Sequence, residues 1–208
     1  MSENAAAAEA PLRKEKKSLD PRIALALMIV MVIIALCNGA HKAWTKNRQG
    51  VNASYTVWQE NIEQRIETAY NILTVGGRYL AADHAQMAAL KADITAMQQS
   101  DAASQTALNA QAEAGARFLT DGSALLTTLQ SDSRVQADSR DSMYVTLMLP
   151  QALEQCGSDT ALADYNAAAQ SYNQGMRSFS GLLAKLTGVS AAPTVQQTAE
   201  TPNGGDSQ

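Results

Sequence analysis

Strand-forming residues are scarce in this chain. Outside one early segment, runs of Val, Ile, Tyr and Phe hardly occur, aromatics make up 5%, and alanine is abundant. That balance disfavours a large β-sheet and suits helices. Cysteine and histidine number two each, so a four-ligand zinc site would use nearly all of them. Charged residues are 17% of the chain, below the roughly 25% of an average soluble protein. What charge there is divides unevenly. Residues 1–50 carry eight Lys and Arg against four Asp and Glu, a net of +4; residues 51–208 carry eight against sixteen, a net of −8. An acidic body argues against nucleic acid as a partner, because sequence-blind binding needs a basic footprint.

The strongest positive signal is residues 23–40, IALALMIVMVIIALCNGA, which hold no charge. As a helix they would span about 27 Å, close to the roughly 30 Å hydrocarbon core of a bilayer. Ile23, Leu25, Leu27, Ile29, Val30, Val32, Ile33, Ile34 and Leu36 supply the apolar surface of this anchor. Asp20 is suited to cap the helix and Pro21 to sit in its first turn, where a missing N–H costs little. Five Lys and Arg precede the segment (Arg13, Lys14, Lys16, Lys17, Arg22) and three follow it (Lys42, Lys46, Arg48). The positive-inside rule then predicts a cytoplasmic N-terminus and an extracytoplasmic body. A cleaved signal peptide would have a shorter apolar run and a small-residue cleavage motif. A lipoprotein signal at Cys37 would want a small residue where Leu36 stands. A buried core helix is the remaining alternative, and it would have to be covered all round.

Four regions follow. Residues 1–19 have no apolar periodicity and read as a disordered arm; residues 20–42 are the single anchor; residues 43–188 are the helical body; residues 189–208, rich in Pro, Gly, Thr, Gln and Ser, read as a disordered tail. In the body, Val51, Tyr55, Trp58, Ile62, Ile66, Ala69, Leu73, Gly76 and Leu80 recur at three or four residues, and Met87, Leu90, Ile94 and Met97 continue the stripe. Read as one helix, residues 51–97 make a rod of about 70 Å, with Gly76 and Gly77 as the place for a kink. A second helical stretch is predicted over 102–149. It is either solvated or interrupted across the polar residues 131–141, and Pro150 ends or kinks it. The third stretch, 160–187, has the cleanest period. Tyr165, Tyr172, Phe179 and Leu186 are spaced by seven, with Ala169, Met176 and Leu183 four residues after the first three. That is a coiled-coil-like seam, closed by Gly188. Asn166 and Asn173 follow the two tyrosines, so a YN pair repeats at period seven and is placed to set register by hydrogen bonds.

These residues resemble the LemA family. The family's C-terminal signature has two YN pairs seven apart, a Phe-Pro, an Ala and a closing Gly; Tyr165, Asn166, Tyr172, Asn173, Phe179, Ala184 and Gly188 fall on matching positions. Trp58, Arg65, Asn71, Val75 and Tyr79 match a second family block after the anchor. Tyr70 stands where the family has Pro, Ser180 replaces the Pro of Phe-Pro, and a Tyr-Pro stretch is reduced to the neighbourhood of Leu149 and Pro150. The pattern is similar to a divergent member. The resemblance implies an all-α protein with an N-terminal transmembrane helix followed by an elongated antiparallel bundle of three to four long helices. It also implies a bacterial envelope setting, and an N-terminus on the outside, against the charge count, which is kept here as the guide.

No catalytic constellation is found. HExxH, GxSxG, P-loop and GxGxxG motifs are absent. His41 beside the anchor and His84 far along the rod are too distant to cooperate, and Cys37 and Cys156 lie too far apart for a disulfide. Glu60, Glu63 and Glu67 form an acidic face that reads as solvated. No cofactor or metal is expected. The expected function is non-enzymatic: a scaffold or interaction module on the bacterial inner membrane. Its partners would be the lipid bilayer, envelope proteins and a second copy of the chain. The alternative is a ligand-sensing bundle acting through another protein.

Overall fold

A computed structural model describes residues 20–99 and 104–195. Among these residues there are helices and no strand. The first helix, α1, runs from Pro21 to Tyr79, 59 residues without a break, about 88 Å long. Asp20 opens it: a side-chain oxygen accepts the Arg22 N–H at 2.9 Å, and Pro21 occupies the first turn. Its apolar N-terminal window is only 6% buried, which removes the reading as a covered core helix. One N-terminal helix is thus long and apolar enough to span a membrane. The side chains from Ile23 to Leu36 are about half exposed, and the first buried residue is Ala40.

The expected rod over 51–97 is corrected. Gly76 and Gly77 stay helical, and the chain turns instead at 80–84 before α2, Ala85–Gln98. Gly76 serves packing here: a Cβ at that position would lie 2.7 Å from the Met87 Sδ, so the glycine admits α2 against α1. The second stretch is also divided, into α3 (Gln105–Ser131), α4 (Ser133–Ala137), α5 (Ser139–Met143), a π-helical segment (Tyr144–Met148) and α6 (Leu149–Cys156). The polar region is interrupted because its Asp-Ser-Arg triplet occurs twice. Asp132 accepts the Arg134 N–H at 2.8 Å, and Asp138 accepts those of Arg140 and Asp141 at 3.0 Å, so each Asp starts a new short helix. Pro150 sits in the first turn of α6, just after the wider π turn, where the chain tolerates its missing N–H.

The third stretch is α7 (Thr160–Gly175) and α8 (Phe179–Leu186). Two glycines explain the break. Gly175 lies against the Trp44 ring, where a Cβ would come within 2.5 Å of an indole carbon; Gly181 lies against the Met176 backbone at a similar distance. Ser178 caps α8 by accepting the Gly181 N–H at 3.2 Å. The predicted seven-residue seam therefore stops at Tyr172 and Met176. Phe179 and Leu186 leave it and are 73% and 80% exposed. Gly188, at φ +88°, closes α8 as expected.

The core joins α1, α2, α3 and α6 around Ile62, Ile72, Leu90, Met97, Phe118 and Leu129. Each fully buried side chain of this kind contributes roughly 1.5–3 kcal/mol. Below it, α7 and α8 pack on α1.

Candidate functional site

Aromatic side chains join α1 to α7. Trp58 is 2% exposed and stacks on Tyr165, ring centres 5.6 Å apart and planes 17° from parallel. Tyr55 meets both rings edge-on. One heptad along, Tyr172 meets Trp44 edge-on at 5.5 Å, and the Arg48 guanidinium lies over the Tyr172 ring. Rings at these distances and tilts add about 0.5–1.5 kcal/mol per pair beyond their burial. Burial pushes the Tyr165 phenol above its ordinary pKa, and Tyr55 beside it adds to the shift.

The expectation of a disordered tail from residue 189 is corrected for residues 189–195, while 196–208, like the arm at 1–19, lies outside the described residues. After Gly188 the chain runs back along α7 as an extended strap. Asn173 holds it twice, donating to the Ala192 carbonyl at 2.7 Å and accepting the Ala192 N–H at 2.8 Å. Asn166 accepts the Val195 N–H at 2.8 Å. The Tyr165 hydroxyl donates to the Pro193 carbonyl at 2.7 Å, and Arg48 donates to the Ser190 carbonyl at 2.8 Å. Gln105, at the start of α3, bonds both the N–H and the carbonyl of Thr194. The spacing has a geometric reason. Seven helical residues rise about 10.5 Å, and three extended residues cover about 10 Å. The two asparagines thus meet Ala192 and Val195 in register. The YN pairs do set register, but for the strap and not for the seam. Ala192 and Val195 of the strap are buried. The sequence signal that marks this segment is Val189, Ala192 and Val195 at steps of three, with Pro193 excluding a helix.

Farther from the anchor, polar side chains tie the helices together. Gln111, 1% exposed, donates to the Met97 carbonyl at 2.7 Å and exchanges hydrogen bonds with Gln59. This satisfies a carbonyl at the end of α2 that has no partner within the helix. Arg65 is 4% exposed and reaches Asp159 at 2.8 Å across the α6–α7 connection; its Nε has no partner. Asp159 precedes α7 but makes no cap bond with its side chain, because it is turned to Arg65. Arg78 and the Tyr79 hydroxyl both donate to Asp141, at 2.7 and 2.8 Å. Those bonds, Arg78 first, hold the Asp141 carboxyl below its ordinary pKa. Asp93 behaves in the opposite way. Burial pushes its pKa up, the Arg117 bond at 3.0 Å pulls it down, and Asp121 raises it again.

The family-like residues do not form one site. Trp58, Tyr165, Tyr172, Asn166 and Asn173 come together with the strap. Arg65 and Val75 lie in the core and Tyr79 in the Asp141 group. Ala184 is buried on the inner face of α8, whereas Phe179 is exposed and Asn71 sits on an open groove. That groove, about 500 Å³, is lined by Gln59, Glu63, Glu67, Asn71, Gln98 and Gln111 among others. Sequence reasoning missed Arg48, Gln105 and Asp141 as tying residues. The two cysteines are unpaired, and the Cys156 thiol is buried 3.5 Å from the Thr68 hydroxyl. Among the described residues no group of three His, Cys, Asp or Glu converges as a metal set would. No family model, curated protein or solved structure matches this chain.

Proposed function

We propose that this chain is a non-enzymatic, single-pass membrane protein of the LemA type, whose helical body is a scaffold or interaction module on the bacterial cytoplasmic membrane. The observation that carries the reading is the continuity of α1. The same helix presents the lipid-length apolar segment and, farther on, Trp58, Ile62 and Ile72 of the core. Anchor and body are then one rigid unit, a form suited to holding a surface at a fixed place relative to a bilayer. The body is an elongated antiparallel bundle in this proposal. Its support is the opposite running sense of paired residues: Gln86 with Thr128, Asp93 with Arg117, and Met97 with Gln111. The YN pairs and the Trp58 block support the family assignment, and the Lys and Arg count supports an extracytoplasmic body.

Reporter fusions at each terminus test the orientation. An active periplasmic reporter at the C-terminus is expected, and a cytoplasmic C-terminus would move all partners to the other compartment. The open groove beside Glu63 and Glu67 favours a second reading, a ligand-sensing bundle. Thermal shifts with a small-molecule panel separate the two. Reproducible stabilisation supports the sensor, whereas stoichiometric co-purification of an envelope protein without such shifts supports the scaffold.

A further inference from the structure

The end of the body nearest the anchor is closed by α8. The Thr187 hydroxyl meets the His41 ring at 3.1 Å, and Ser180 meets the Trp44 N–H at 3.4 Å. His41 is the first residue beyond the apolar run. These contacts place the short helix at the level where the apolar run ends.

Its two faces differ. Gly181 and Ala184 are buried against the body, while Phe179, Leu182 and Leu186 are 73%, 52% and 80% exposed. These three recur at i, i+3 and i+7, which is one face of a helix. Leu186 adjoins Thr187, the residue that touches His41, so this face reaches the level of the last apolar turn. The charge around it has one sign. No Asp or Glu occurs over residues 21–59 or 165–195, the two segments that meet here, whereas Lys42, Lys46, Arg48, Arg177 and Lys185 do. An apolar helical face rimmed by cations is the pattern of helices that lie in the headgroup layer of an anionic bilayer.

We propose that α8 is an interfacial membrane helix. Phe179, Leu182 and Leu186 enter the boundary between headgroups and acyl chains, and the exposed Lys42, Lys46, Arg177 and Lys185 face lipid phosphates. This rests on the reading of residues 23–40 as the membrane span. It gives the body a second, non-covalent attachment to the bilayer beside that span.

The test uses the full, unaltered chain in vesicles of phosphatidylcholine and phosphatidylglycerol, with a trace of phosphatidylcholine carrying a photoreactive diazirine on its acyl chain. After illumination, lipid adducts are mapped by mass spectrometry. Adducts are expected on 23–40 and on 179–186, with none on α3. Leu182→Glu with Leu186→Glu, both at exposed positions, is expected to remove the α8 adducts and leave those of the span. Adducts on the span alone overturn the proposal while the anchor stands. Adducts on neither segment overturn the anchor reading and the proposal with it. In a parallel sample treated with an amine-reactive cross-linker, links between copies through Lys185 without lipid adducts on α8 assign the face to a second copy and also overturn it.

Discussion

Arg65→Met and Asp159→Ala break the same ion pair, yet the surroundings make them unequal. The Arg65 side chain is 4% exposed and that of Asp159 is 55% exposed. Losing a pair that opens to water on one side costs about 0–1 kcal/mol. Arg65→Met also removes the partnerless buried Nε, worth about 1–3 kcal/mol in relief. Its unbranched apolar stem can follow the channel beside Ile62 and Gly115 that the arginine now fills. The net change is expected to lie within about 1 kcal/mol of zero. Asp159→Ala leaves the guanidinium buried, with only the Ser158 carbonyl at 3.5 Å. Breaking a fully buried pair this way costs about 3–5 kcal/mol, and water on the Asp159 side lowers that to roughly 2–3 kcal/mol. The gap of about 2 kcal/mol is close to a 30-fold difference in the folding equilibrium. Urea unfolding in detergent micelles, followed by helical circular dichroism, reads it as a shift in midpoint at constant slope. An Arg65→Met protein as unstable as Asp159→Ala, or more so, would refute the argument.

Three further outcomes are expected. Trp58→Ala removes the stacked ring at the centre of the aromatic seam and should lower stability by about 3–5 kcal/mol; an unchanged melting temperature would put Trp58 on a binding surface instead. Asn173→Ala deprives Ala192 of both hydrogen bonds, at a cost of roughly 1–2 kcal/mol, and amide exchange at Ala192 and Val195 should accelerate; unchanged exchange would show that the strap is held by other contacts. The carboxylates should respond to pH with opposite signs. The raised pKa of Asp93 gives a contribution present in full below about pH 4 and lost as pH rises through the raised value. The lowered pKa of Asp141 gives one present above that range and lost as pH falls. Relative to the wild type, Asp141→Asn should therefore be most costly near neutral pH and Asp93→Asn most costly in acid; equal pH profiles would contradict this.

Helical periodicity carried the class of the fold and most of the core, because a three-to-four step survives wherever a helix packs on one side. Trp58, Ile62, Ile94 and Met97 are buried as their spacing requires. Helix ends were less legible. Apolar spacing continued across 80–84 and across 176–178, where the chain turns. The close approaches beside these turns involve distant partners: Met87 against Gly76, and Trp44 against Gly175. Sequence spacing cannot register a ring arriving from residue 44. The strap escaped for a related reason. Its composition is that of a loose tail, and its order comes from Asn166, Asn173, Tyr165 and Arg48 on other elements. The repeated asparagines were visible as a pattern, but their target was not.

With its apolar run spanning a bilayer as proposed, an uninterrupted α1 would make the body a lever. Residues 41–79 extend about 57 Å beyond the apolar run. Spanning helices tilt by about 20° on average, and a tilt of that size carries the far end of such an arm about 20 Å sideways. A change in bilayer thickness that alters the tilt by a few degrees is thereby magnified into several ångströms at the Arg78–Asp141 end, with no conformational change in the bundle. The membrane's mechanical state would be readable at a distance, as the position of a surface.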